Sequence, residues 1–234
     1  MGYKVRKIQR FHKSLEQTLS ALDGGGPFQT IFDVGANIGQ TAQRFNALFP
    51  HAHVYSFEPC RETYETLSKN VEPYKNIRTF RLGLGASNKP QTMGLRKANY
   101  TNSILKNSTA IGEYVPGNVY QAIGVEEVRI STLKSFCEDA NISQVDLLKI
   151  DTQGYEDRVL GGAGDLLTPA LIRAIYLEVL FIPHYQDQAE FDELYGMLRN
   201  RGYRMYAMYD ICADESNGYK WANALFVDKN IKIL

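Results

Sequence analysis

Apolar residues fall at helical spacing near the start of the chain, where Val5, Ile8, Phe11, Leu15, Leu19 and Leu22 recur every three or four positions. This predicts an amphipathic helix over residues 1–26 that packs one stripe against the rest of the molecule. The Gly24, Gly25, Gly26, Pro27 run ends it. Beyond that break the period changes repeatedly between strand and helix. FQTIFDVG reads as a short β-rich run closing on glycine, and IGQTAQRFNALF resumes a helical period until Pro50. HVYSFE is a second strand; Pro59 suits a first helical turn and leads into the helix RETYETLSKNV. NIRTFRLGLG is expected to form a third strand. From about 87 to 130 the pattern loosens into short β-like pieces between Asn, Gly and Pro residues, which predicts a hairpin insertion with a long loop suited to cover a substrate.

The remaining pattern is regular. STLKSFCEDA is helical, and VDLLKID is a continuous apolar run of the sort that a parallel strand buried on both faces requires. YEDRVLGGAGDLL is a broken helix, AIYLEVLF a fifth strand, and AEFDELYGMLRNRG a helix closed by Gly202. YRMYAMYDI and KWANALFV follow with only a polar turn between them, so they should pair as a hairpin. Alternating strands and helices make the expected fold an α/β domain over 27–234. Its sheet is doubly wound, mostly parallel and seven-stranded, with one antiparallel strand.

Composition narrows the function classes. The 234 residues suffice for one sizeable core. Acidic and basic residues both number 26, so no overall positive field exists to collect nucleic acid or an anionic membrane, and a small, weakly charged or saccharide substrate fits better. Three widely separated cysteines, Cys60, Cys137 and Cys212, form neither a disulfide framework nor a paired-cysteine metal site. The charged beginning of the chain and the lack of a long apolar stretch lead to the expectation of a cytoplasmic protein without membrane contact. His51 and His53 alternate onto one strand face without a third ligand, so no metal is expected there. Tyr203, Tyr206 and Tyr209 read as packing, because no basic stripe accompanies them.

An open doubly wound sheet binds its ligand beyond the carboxyl ends of the strands, where strand order reverses. The turn Asp33, Val34, Gly35, Ala36, Asn37, Ile38, Gly39 follows the first strand and has the glycine content of a nucleotide-cofactor loop. Asn37 replaces the second glycine of a G-x-G-x-x-G turn, which disfavours a dinucleotide and hence a dinucleotide-dependent oxidoreductase. Glu58 ends the second strand, where an acid can accept hydrogen bonds from two ribose hydroxyls.

The segments FDVGANIGQT, FEP and LLKIDTQGYE together resemble the FkbM family of S-adenosylmethionine-dependent methyltransferases, and LEVLFIPHYQDQ and NALFV resemble its later blocks. The resemblance implies a class I, Rossmann-like methyltransferase fold with S-adenosyl-L-methionine as cofactor. Asp33, Gly35, Ala36, Asn37 and Gly39 would cradle the amino-acid end, Glu58 would anchor the ribose, Pro59 would face the adenine, and Gly83, Leu84 and Gly85 would border it. The expected reaction is O-methylation of a hydroxyl on a sugar, polysaccharide unit or secondary metabolite. A deprotonated alcohol needs a base. Asp151, at the end of the fourth strand and beside the cofactor, is the first candidate; Glu178 and His184 could reach the same cleft from the fifth strand and the loop after it. Asn223 and Lys134 stand where the family pattern often has acids, which leaves metal independence as the expectation.

Overall fold

The computed structural model describes residues 13–23, 26–216 and 218–231. The first part of the expected N-terminal helix, with Val5, Ile8 and Phe11, therefore lies outside the described residues. Its second part is α1 (Leu15–Asp23), which buries Leu15, Leu19 and Leu22. The chain continues through β1 (Thr30–Val34), α2 (Gln40–Leu48), β2 (His53–Phe57), α3 (Arg61–Val71) and β3 (Ile77–Phe80). Next come β4 (Gly83–Leu84), β5 (Gln91–Arg96), α4 (Ile111–Tyr114), β6 (Ala122–Val128) and β7 (Ile130–Ser131). The last elements are α5 (Leu133–Asp139), β8 (Val145–Ile150), α6 (Glu156–Ala163), β9 (Ile172–Leu180), α7 (Phe191–Asn200), β10 (Tyr203–Asp214) and β11 (Gly218–Asp228).

Seven strands form one sheet in the order β10-β11-β9-β8-β1-β2-β3. β11 runs antiparallel to both neighbours, and the other pairs are parallel, as the sequence pattern predicts. The two-residue period sends successive side chains to opposite faces. Ile31 thus joins a core with α1, α2 and α3 residues such as Leu19, Phe45 and Leu67. Phe32, the next residue, joins the other core with Phe136, Leu160 and Leu194 from α5, α6 and α7. β8 is buried at every position, which explains why it is mostly apolar, and its two charged residues, Asp146 and Lys149, are paired.

One expectation needs correction, and one expected break is located. The predicted third strand over 76–85 is two strands, because the chain turns at Leu82, whose amide donates to the Phe80 carbonyl at 2.9 Å. β4 then leaves the main sheet to pair with β7. Both pieces share the period of two, so no alternation signal marks the division. The helix over 155–167 breaks where Gly164 adopts φ 58°, and a short 3-10 turn over 164–166 follows. Within 87–130, β5 and β6 pair as an antiparallel hairpin. That hairpin is docked on the start of α3 through a small cluster of Cys60, Met93, Val128 and Ile130.

Candidate active site

The strand order reverses between β1 and β8, so their carboxyl ends diverge into a crevice. The two ends are tied where the Asp151 amide donates to the Val34 carbonyl at 3.0 Å. Gly35 follows with φ 76°, and a Cβ there would lie 1.8 Å from the Asp151 carbonyl oxygen. Only glycine permits this approach. Asn37 also takes a left-handed conformation, φ 49°, and its amide donates to Glu58 Oε2 at 3.1 Å. The Cys60 amide donates to the other Glu58 oxygen at 3.0 Å. Glu58 thereby joins the first turn to the start of α3, and each of its oxygens retains lone-pair capacity.

These elements enclose a cavity of about 220 Å³. Of the residues singled out from sequence, Gly35, Asn37, Glu58, Pro59, Gly83, Leu84, Asp151 and Glu178 line it. The insertion contributes Met93, Asn99, Tyr100, Asn102 and Ile104 to the same wall. Five predicted positions do not line the cavity. Asp33 is fully buried against Lys149, with Oδ1 at 2.9 Å from Nζ. Ala36 is buried, and its amide joins that of Gly35 on the Phe57 carbonyl. A Cβ on Gly39 would come within 2.9 Å of Leu67 and Val71, so this glycine brings α2 close to α3. A Cβ on Gly162 would meet the Gly85 carbonyl oxygen at 2.0 Å, which places Gly85 under α6. His184 is buried behind the site, with Nδ1 at 2.8 Å from the Tyr120 hydroxyl. His51 and His53 are exposed.

Sequence reasoning missed two of the groups that organise this crevice. Lys149, one residue before the carboxyl end of β8, donates to the Gly35 carbonyl at 2.8 Å and sits 3.9 Å from Asp151 Oδ2. Burial opposes its charge, but Asp33, Asp151 and Glu178 outweigh burial and hold the ammonium above its ordinary value. A lysine inside a mostly apolar buried strand was the available signal, since such a charge requires partners. The other is Gln153, left-handed at φ 57°. Its amide nitrogen donates to Asp151 Oδ1 at 3.0 Å and to Glu178 Oε2 at 2.8 Å. Its side-chain oxygen accepts from the Tyr185 hydroxyl at 2.8 Å. No local pattern marks it.

The carboxyl groups divide by environment. Burial pushes Glu58 up to about 7 against the lowering effect of the Cys60 and Asn37 amides. Glu178 lies well above the ordinary carboxylate range, first through burial and then through the nearby charges of Asp151 and Glu156. Glu156 is raised to about 7 by burial. It accepts from the Thr152 amide at 2.7 Å and the Gly154 amide at 3.3 Å, so it shapes the Asp151–Gly154 turn from below. Burial pulls His184 down to about 4, with Lys220 adding to the effect. The resulting arrangement offers an acid between two loop amides on one side and a clamped pair of acids on the other. Among the described residues no group of three or more His, Cys, Asp or Glu side chains is placed to hold a metal ion, and no helix is long and apolar enough to cross a membrane.

Comparison with known proteins agrees with the geometry. A family model described as the methyltransferase FkbM domain matches residues 33–205, from the first turn into β10. The NALFV segment lies beyond that span. The 2-O-methyltransferase NoeI of Sinorhizobium fredii is 29% identical over 191 residues, which cover 79% of this chain and 73% of that protein. Methyltransferase 1 of Beauveria bassiana is 27% identical, over 58% of each. Among solved structures, a methyltransferase FkbM from Methylobacillus flagellatus superposes with a TM-score of 0.53 at 15% identity, covering 86% of this chain and 43% of that one. The chain thus spans less than half of that solved protein and just over half of the fungal relative.

Proposed function

The chain belongs to the FkbM methyltransferase family and is a methyltransferase, and on that premise we propose that it methylates a hydroxyl oxygen, with S-adenosylmethionine held in the cavity between β1 and β8. The residues present fit that cofactor. Gly35 leaves bare backbone at the cavity wall where any side chain would collide, and Asn37 presents a left-handed turn beside it. Glu58, with an unused lone pair on each oxygen, is suited to accept from the ribose hydroxyls. Gly83, Leu84 and Pro59 give the same cavity an apolar wall for the base. Once bound, the cofactor supplies a sulfonium-activated methyl group.

The chain's own contribution is positioning and proton removal. Asp151 reaches the cavity at the switch point and takes the proton from the acceptor hydroxyl; holding the reacting groups in near-attack geometry supplies much of the rate. Asn99, Tyr100 and Asn102 bring amide and phenol groups to the insertion side of the cavity, which suits a hydroxyl-rich acceptor such as a saccharide or an oxygenated metabolite. The name of the NoeI relative, a 2-O-methyltransferase, supports oxygen as the acceptor atom. We assign residues 27–234 to the methyltransferase domain, 1–26 to a helical extension, and about 87–130 to an insertion that selects the acceptor. The three free cysteines suit a reducing, cytoplasmic setting.

The observation that carries this reading is that Glu58 and Asp151, from separate strands, line one cavity at the switch point. The test is transfer of isotopically labelled methyl from S-adenosylmethionine to a panel of saccharide and metabolite hydroxyls. Label recovered in O-methyl products, with turnover lost in Asp151→Asn, is the expected result; label only on amines overturns oxygen methylation.

A further inference from the structure

The two acids proposed for the acceptor side stand close together, Glu178 buried and Asp151 partly exposed, and one amide serves both. Gln153 has two N–H donors and directs one to Asp151 Oδ1 at 3.0 Å and the other to Glu178 Oε2 at 2.8 Å. Because carboxylate oxygens accept, this fixes the orientation of the amide: its oxygen must face Tyr185, whose hydroxyl donates to it at 2.8 Å. The Gln153 main chain is held too. Its carbonyl accepts from Ser103 Oγ of the insertion at 2.7 Å, and its backbone is kept left-handed at φ 57°, a conformation that persists in a non-glycine residue only when surroundings enforce it.

We propose that Gln153 is the positioning residue for this acid pair: it holds the Asp151 and Glu178 carboxyls side by side as a unit bearing a single negative charge, and ties that unit to the insertion through Tyr185 and Ser103.

The charge count follows from the groups that face the pair. Lys149 on β8 is the adjacent cation, yet it is shared with Asp33 on β1. Glu156 on α6 adds a further acid. The Tyr120 and Tyr185 hydroxyls approach from the insertion and the loop after β9. β11 contributes only the neutral Asn223 opposite Glu178 in the ladder. Two like charges bridged by one amide in a buried site do not both ionise. Glu178 is the more deeply enclosed of the two: it is 8% exposed, whereas the Asp151 side chain is 38% exposed. Glu178 therefore keeps the proton, and Asp151 keeps the charge that faces the acceptor. The left-handed turn after β8 and the Ser103 contact make this arrangement depend on the seating of the insertion, so acceptor enclosure and base orientation are linked through one side chain.

This rests on reading the cavity as the methyl-transfer site, but its test does not require an acceptor. Difference infrared spectroscopy on the full chain should show a protonated carboxyl at pH 7 that disappears in Glu178→Gln. Gln153→Met removes two donors that favour the charged form, so the titration midpoint of that band should rise by about one pH unit or more. Gln153→Glu keeps the shape and places a third acid beside the pair, and should show one additional protonated carboxyl at pH 7. The proposal is overturned if no Glu178 band exists at pH 7, or if the midpoint is unchanged in folded Gln153→Met. Should Gln153→Met fail to fold, an unchanged number of protonated carboxyls in Gln153→Glu overturns it equally. Calorimetry of the unaltered protein with S-adenosylmethionine reports separately on the cofactor reading, so the two failures are distinguishable.

Discussion

The rim of the cavity proposed for the cofactor and the rim proposed for the acceptor are built in different ways. The first is local: Gly35, Asn37, Glu58 and Pro59 all lie within a few residues of the ends of β1 and β2, and the Glu58 carboxylate ties the two turns by accepting from the Asn37 and Cys60 amides. The acceptor rim is assembled from distant pieces. Asp151 and Gln153 follow β8, Glu178 lies on β9, and Asn99, Tyr100, Asn102 and Ile104 come from the insertion, while Tyr185, after β9, bonds Gln153 from outside the cavity wall. A rim made of strand-end turns depends on backbone shape, whereas a rim made of converging side chains depends on buried polar partners.

Lys149 sits on the seam between the two rims, so its replacement should have the largest effect. Lys149→Met leaves fully buried Asp33 without its cation, and chemical denaturation should register a loss of about 3–5 kcal/mol. Gly35→Ala strikes the backbone contact where the two rims meet. A methyl group 1.8 Å from the Asp151 carbonyl oxygen, on a φ of 76°, should cost about 3 kcal/mol and open the junction of β1 with β8. Thermal unfolding of both variants would sharpen the comparison; a Gly35→Ala protein as stable as the parent would contradict the close approach.

The smaller effects concern protonation. Ribose donors favour an ionised acceptor, and Glu58 loses its proton at about 7. Affinity for S-adenosylmethionine should therefore rise as pH increases through 7. In Glu58→Gln it should be flat and roughly 10-fold weaker above that pH. On the acceptor side, His184 titrates at about 4 in the folded protein and near 6.5 when unfolded. Between those values the unfolded chain takes up a proton that the folded chain refuses. Stability present above pH 6.5 is thus lost as pH falls, by about 1–2 kcal/mol at pH 5. His184→Phe should flatten that slope, which denaturation at pH 7 and pH 5 would reveal.

The same contrast explains what the sequence could reveal. The order of strands and helices, the antiparallel β11 and the two faces of the sheet follow from periodicity, because burial repeats with each element. That the first turn and Glu58 meet at one crevice was legible because each stands at the carboxyl end of a strand. Asp33, Ala36 and Gly39 of the first turn and Gly85 after the third strand were read as ligand contacts, whereas the structure places them in the ion pair and close packing beneath the cavity. Adjacency in sequence does not separate a glycine that faces the cavity from one that faces a neighbouring helix. Gln153 lies within the LLKIDTQGYE segment, but its role was not legible there, since it comes from Glu178, Tyr185 and Ser103, each at least 25 residues away. The division of 76–85 into β3 and β4 was equally hidden, because a change of sheet need not change the alternation.

The measurement closest to the central claim is calorimetric titration of the protein with S-adenosylmethionine and, separately, with NAD, repeated on Glu58→Ala. The account predicts binding of S-adenosylmethionine alone, weakened at least roughly tenfold in the variant. Binding of NAD, or of neither ligand, would contradict the assignment of this cavity.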